Sequence, residues 1–233
     1  MTTLAFALAA TIKHDGHGGV ADLLATPTEA AAWLAQRQNQ LVEVLGQPLA
    51  DQARHSPPRS PAPAAADPSG RVTPAAAHPS VLRVGGDGEW DGRVRDELVG
   101  IRRAVRALFA RAVAPAAPSR ADAHLLMDVD AAMEMINQAA GRLGSQRLVW
   151  KGDGEPGVAW RAETADPVEL VVAAVGRSTI EFLTGADRGR LRACPAARCV
   201  KYFLQDDPRQ MWCSASCGNR ERVNRHYRKR HAG

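Results

Sequence analysis

The chain has 233 residues, 45% of them hydrophobic and 24% charged, with a net charge of +5. That length buries a sizeable core, as one large domain or as one domain with a small appendage. No stretch approaches the roughly 18–20 continuous apolar residues of a membrane helix, so no membrane role is expected.

The charge is unevenly spread. Residues 188–233 hold 12 Lys/Arg against 3 Asp/Glu, whereas the rest of the chain holds 18 against 22. The basic character belongs to the C-terminal end, and an anionic partner is expected there.

The first apolar run, Leu4 to Ile12, is rich in alanine. No Lys or Arg precedes it and it runs directly into Lys13-His14-Asp15, so it reads as a buried strand or helix of the body rather than a signal-peptide core. His14-Asp15-Gly16-His17 offers two histidines without an identifiable companion ligand, and reads as a loop. Thr26-Pro27-Thr28-Glu29 supplies an N-cap, a proline at the first helical position and a glutamate at the third. The helix it opens should run through Trp33 and Leu34 towards Leu45, with a break near Gln38.

Residues 48–80 are dominated by Pro, Ala, Ser and Arg and lack apolar periodicity, which predicts a flexible insert. Beyond it, Val94, Leu98, Ile101, Val105, Leu108 and Phe109 recur at three- and four-residue steps with arginines between them, the pattern of an amphipathic helix. A further helix is expected from near Asp122, carrying Leu125, Leu126, Val129, Met133, Ile136 and Leu143, with its methionines as core filler. Arg147 to Trp150 and Val158 to Arg161 flank a Gly- and Asp-rich stretch and predict a hairpin, with Trp150 and Trp160 meeting across it. Asp166-Pro167-Val168-Glu169 repeats the capping arrangement and opens a helix that should stop near Gly185.

All four cysteines fall near the C-terminus, as Cys194-x4-Cys199-x13-Cys213-x3-Cys217. Two close pairs separated by a hairpin-sized gap can converge on one tetrahedral ion. Zinc is the natural occupant of four thiolates, and such a closed shell supports structure without room for a catalytic water. Disulfides and iron are the competing readings of the same residues. His226 and His231 could also compete for the metal, although four cysteines suffice. No GxGxxG, P-loop or GxSxG motif stands in a credible context, so the chain is not expected to be an enzyme.

From about Ser214 to Arg230 a basic helix is expected. Cys213 and Cys217 share one side of its start, and Arg220, Asn224 and Tyr227 continue that side, with Val223 beside them. Arg222, Arg225 and Lys229 point the opposite way, with Arg228 between the sets. A rigid basic helix is a usual reader of a DNA groove; a solvated basic chain end is the simpler alternative.

Trp212-Cys213-Ser214-x-x-Cys217-Gly218-Asn219-Arg220, with Cys194-Pro195-x3-Cys199 upstream and a basic helix after, closely resembles the CGNR zinc finger. Phe203-Leu204-x-Asp206 resembles that module's strand and turn. Asp22-Leu23-Leu24-Ala25-Thr26-Pro27 leading to Ala32-Trp33-Leu34, the hairpin, the Asp166-Pro167 helix and Asp187-Arg188-x-Arg190-Leu191 are similar to the ABATE domain, described as a putative stress-induced transcription regulator. One departure is visible: the family's first strand carries an acidic residue and an Asn-Thr pair, and here Ala7 and Ala10 replace the polar members.

The expectation is therefore a mainly α fold with a small antiparallel β-hairpin. It comprises an ABATE-like body at residues 1–187 and a four-cysteine finger at 188–233. Cys194, Cys199, Cys213 and Cys217 would hold one structural zinc ion. The expected compartment is the reducing cytoplasm, which keeps thiolates available for metal, and the resemblance implies a DNA-binding regulator, which would be nucleoid-associated there. Arg220, Arg222, Arg225, Arg228 and Lys229 are its candidate DNA contacts. The body would sense a signal, such as an unidentified small-molecule effector, or mediate homodimerisation. A zinc-stabilised protein-interaction module, and an enzyme body scaffolded by zinc, are the rival readings.

Overall fold

The computed structural model describes residues 3–15, 19–45, 88–122, 126–150, 156–161, 163–164 and 166–231. The expected insert at 48–80 lies outside them. Among the described residues there are seven α-helices and three two-stranded antiparallel sheets. In chain order these are α1 (Leu4–Ala9), β1 (Ile12–His14), β2 (Val20–Asp22), α2 (Pro27–Gln36), α3 (Gln38–Leu45), α4 (Gly88–Val113), α5 (Val129–Gly141), β3 (Ser145–Val149), β4 (Gly157–Arg161), α6 (Pro167–Thr184), β5 (Leu191–Ala193), β6 (Tyr202–Leu204) and α7 (Ala215–His231).

The capping signals act as their chemistry dictates. Thr26 accepts from the Glu29 amide and Glu29 returns a bond to the Thr26 amide, closing a capping box at the start of α2. The break falls at Arg37, between α2 and α3. Asp166 caps α6 through the Val168 amide at 2.9 Å and also pairs with Arg93 at 2.5 Å.

Four expectations are corrected. The resemblance placed a strand over Leu4–Thr11, but Leu4–Ala9 is a helix. Thr3 caps it through the Phe6 amide, and alanine at positions 5, 7 and 9 favours the helical backbone. The helix expected from Asp122 starts only at Val129, with Asp128 as its cap, because the Asp122 carboxylate is engaged elsewhere. Met133 is 43% exposed and fills no core, whereas Met135 packs partly against it. In the β3–β4 register Trp160 stands opposite Gln146, and Trp150 lies beyond the end of β3.

The core lies where α1, α4 and α6 meet. Phe6, Phe109 and Phe182, one from each helix, bring their rings within 5.1–6.3 Å. Helix α6 is buried along most of its length, and its polar members are satisfied: the Ser178 hydroxyl accepts from the Ala5 amide and Thr179 donates to the Val175 carbonyl. Helix α5 packs so closely on α6 that a Cβ at Gly176 would stand 2.8 Å from the Ala140 amide nitrogen.

Two arginines of α4 are turned into this core. Arg102 forks onto Asp22 at 2.5 and 2.6 Å and also donates to Thr11. Burial alone would raise the Asp22 carboxyl, but hydrogen bonds from Arg102 and the Leu24 amide outweigh it and hold it below the usual carboxylate range. The contribution of this pair is complete above the unfolded value of about 3.9 and is lost as pH falls through the lower folded value. Asp22→Asn should therefore lose about 2 kcal/mol at neutral pH and show a flatter fall in stability on acidification. Urea denaturation at a series of acidic pH values measures both.

Arg106, one turn further on, joins the body to the C-terminal part. It donates to Asp122 at 2.7 and 3.0 Å, to the Ala9 carbonyl at the end of α1 at 2.6 Å, and to Ser119 and the Val200 carbonyl. The Tyr202 hydroxyl donates to Asp122 at 2.8 Å, and its ring stands edge-on to Phe109. Burial and the neighbouring Asp122 carboxylate push the Tyr202 phenol up. Leu191 and Tyr202 belong to the main hydrophobic cluster, so the β5–β6 hairpin is built into the body's core.

Candidate metal centre and basic helix

Beyond β5 the chain turns through Cys194 to Cys199, with Arg198 in the left-handed region at φ 65°. It returns through β6 and reaches Cys213 and then Cys217, in the first turn of α7. The Ser214 hydroxyl accepts from the Cys217 amide there and caps the helix. The four Sγ atoms lie within 4.8 Å of one another, with Cys199–Cys213 at 3.7 Å and Cys213–Cys217 at 3.5 Å. Four thiolates about 2.3 Å from one ion stand roughly 3.8 Å apart, so the arrangement fits a tetrahedral metal site. All four cysteines are free, and the spacing is far longer than the roughly 2.05 Å of a disulfide.

The four sulfurs also act on one another. Hydrogen bonds from the Cys199 and Cys213 thiols hold Cys194 well below the usual thiol value, at about 2. The same contact with Cys194 pushes Cys199 up to about 11, and Cys194 and Cys199 together push Cys213 up. One sulfur thus ionises at its neighbours' expense, and a cation among them would favour the ionisation of all four.

The motif's other residues shape the finger. A Cβ at Gly218 would approach the Trp212 ring to 3.3 Å, so glycine admits the indole against the cysteine cluster. Asn219 accepts from Arg222 at 2.9 Å. Arg220 donates to the Ala197 carbonyl at 3.1 Å, while Glu221 accepts from the Ala197 amide at 3.3 Å. Both clamp the first turns of α7 onto the cysteine loop, and part of Arg220's hydrogen-bonding capacity is spent inside the finger.

Further along, α7 leaves this support. Arg222 and Arg225 are exposed, and Arg228 is 74% exposed while reaching Glu221 at 3.5 Å. Lys229 follows Arg225 by four residues and so shares its side of the helix; its side chain lies outside the described residues. Val223 and Tyr227 are exposed rather than packed on the metal module, and His231 stacks on Tyr227. Neither His226 nor His231 joins the sulfur cluster, and among the described residues that cluster is the only convergence of metal ligands. His14 stays at the β1–β2 hairpin; His17 lies outside the described residues.

The sequence did not reveal what surrounds the sulfurs. A cleft of about 310 Å³ is lined by Cys199, Cys213 and Cys217 together with Lys13, Lys201 and Arg220, and by no carboxylate. Four thiolates around a dication would carry two net negative charges, which these three cations would offset; Lys13 comes from the body. Lys13→Gln with Lys201→Gln should therefore weaken metal binding about tenfold. Competition with a chromophoric chelator checks this, with Arg103→Gln, an exposed arginine of α4, as the neutral control.

Two known families match the chain. Residues 190–230 match the CGNR zinc finger, and residues 2–186 match ABATE, a family whose description reads "Putative stress-induced transcription regulator". No curated protein matches the chain. No helix among the described residues is long and apolar enough to cross a membrane. Because the ABATE match runs through every helix from α1 to α6, the chain belongs to the ABATE family, with a CGNR zinc finger as its basic C-terminal part.

Proposed function

We propose that this protein is a DNA-binding transcription regulator of the stress-response type, working in the cytoplasm at the nucleoid. Zinc is the metal this reading assigns to the four cysteines, as one structural ion that fixes the start of α7. The observation that carries the reading is the charge left uncompensated on that helix. Its one acidic residue, Glu221, is turned back onto the Ala197 amide and shared with Arg228. Arg222 meets only a neutral amide, and Arg225 has no ion-pair partner among the described residues. A supported helix with a free cationic side suits the phosphates of a DNA groove. The body supplies the signal-receiving or dimer-forming part.

Arg225→Ala with Lys229→Ala is the test, in the full zinc-loaded chain. Zinc content and fold should persist. Affinity for duplexes selected from a random and genomic pool should fall about 10- to 100-fold, and the salt slope should drop by roughly two. Unchanged affinity and slope would remove the helix from the interface, and the protein-interaction reading would then lead.

A further inference from the structure

A second cleft, of about 420 Å³, lies between the body and the finger on the side of Cys194. One wall is the loop after α4, with Pro118 and Arg120. The other belongs to the finger, with Arg192, Pro195, Phe203 and Met211. Its volume falls in the range of small-molecule sites, about 300–1,000 Å³.

Its polar groups divide in an informative way. Gln205 donates to the Pro208 and Gln210 carbonyls. Gln210 accepts from the Asp206 amide and donates to the Trp212 carbonyl. Both amides stiffen the wall and have little left to offer a ligand. Arg192 uses Nη1 on the Gly189 and Leu191 carbonyls, leaving Nε and Nη2. Arg120 has no ion pair or hydrogen bond among the described residues, unlike Arg93, Arg102, Arg106 and Arg190, which each hold a carboxylate. No carboxylate lines the cleft. Met211 is 60% exposed at its rim, an apolar side chain lacking cover.

We propose that this cleft binds a small amphipathic organic anion, with its acidic group held by Arg120 and Arg192 and its apolar part over Pro118, Phe203 and Met211. Uncompensated cations beside apolar walls suit a carboxylate or sulfonate carried on a hydrocarbon or aryl body. The position suits a signal. Ser119, between the lining residues Pro118 and Arg120, accepts from Arg106 and donates to the Val200 carbonyl, so an occupant would rest on the residues that flank the joint between body and finger. This proposal rests on the body's signal-receiving role, and its test is read without DNA so that the two can fail separately.

The probe is anilinonaphthalenesulfonate, titrated by fluorescence into the full zinc-loaded chain. Saturable binding at one site per chain is expected. Arg120→Glu and Met211→Asp, both on exposed side chains, should each weaken it about tenfold, with zinc content and helical circular dichroism unchanged. The uncharged analogue phenylnaphthylamine should bind more weakly and ignore Arg120→Glu. Decanoate should displace the probe, and the Arg225→Ala, Lys229→Ala protein should bind it normally. Absence of saturable binding, or equal affinity in both cleft variants, would overturn the proposal. So would displacement by inorganic phosphate or duplex DNA as readily as by decanoate, which would assign the cleft to bare phosphate-type anions.

Discussion

Replacing Arg106 by methionine is expected to remove about 3–5 kcal/mol of stability, because it leaves a buried carboxylate without its cation. The Arg106 and Asp122 side chains are 5% and 9% exposed. Arg106 makes five hydrogen bonds to four groups drawn from α1, the 119–122 loop and the finger. Without it, Asp122 keeps the Tyr202 hydroxyl, Val200 keeps Ser119, and the Ala9 carbonyl loses this donor. The deficit should show as a lower urea midpoint with an unchanged slope. Arg106→Met with Asp122→Leu should recover much of the loss, since an apolar pair in place of a buried ion pair is often nearly neutral. Tyr202→Phe should lose about 1 kcal/mol through its hydroxyl. If Arg106→Met fell short by less than about 1 kcal/mol, this joint would be a passenger in a fold held by apolar packing alone.

The same joint marks the limit of what could be read in the chain. Signals acting over a few residues are legible: the capping residues at Thr26 and Asp166, the break before Gln38 and the four cysteines all report local geometry. Arg106 meets Ala9 across 97 positions and Val200 across 94, and no local pattern encodes those partners. A clue was nevertheless present. Val94, Leu98, Arg102 and Arg106 form one row at four-residue spacing, so the row that begins apolar continues with two cations on the buried side of α4. Cations on a buried row require carboxylates to meet them, and Asp22 and Asp122 are those carboxylates. Asp122 was legible only as a helix start because an isolated Asp before an apolar run has the same appearance whether it caps a helix or pairs with an arginine. Lys13's place beside the sulfurs depends on how the β1–β2 hairpin meets the finger, and a lysine after an apolar run carries no sign of it.

Cys213→Ser is expected to abolish metal binding while leaving the body folded. Cys213 lies 3.7 Å from the sulfur of Cys199 and 3.5 Å from that of Cys217. A serine hydroxyl does not ionise as a thiol does, and three remaining thiolates leave an open position in a shell that holds the chain by closure. Metal binding at such small sites is worth about 10–16 kcal/mol and is also their folding free energy. The resulting damage should be local. The β5–β6 hairpin keeps Leu191 and Tyr202 in the body's core and keeps its bonds to the Arg106 joint, so neither depends on the ion. The turn from Cys194 to Cys199 and the start of α7 have only the small cluster of Ala196, Phe203 and Trp212 around the sulfurs, together with the Arg220 and Glu221 clamps. Metal analysis should give a ratio near zero. Hydrogen exchange should show α7 losing protection while α4 and α6 keep theirs. Chelation of the wild-type protein should give the same map. If α7 stayed protected without metal, the clamps would suffice to hold it. If α4 and α6 lost protection with it, the ion would be supporting the whole fold, and the joint at Arg106 would transmit unfolding instead of containing it.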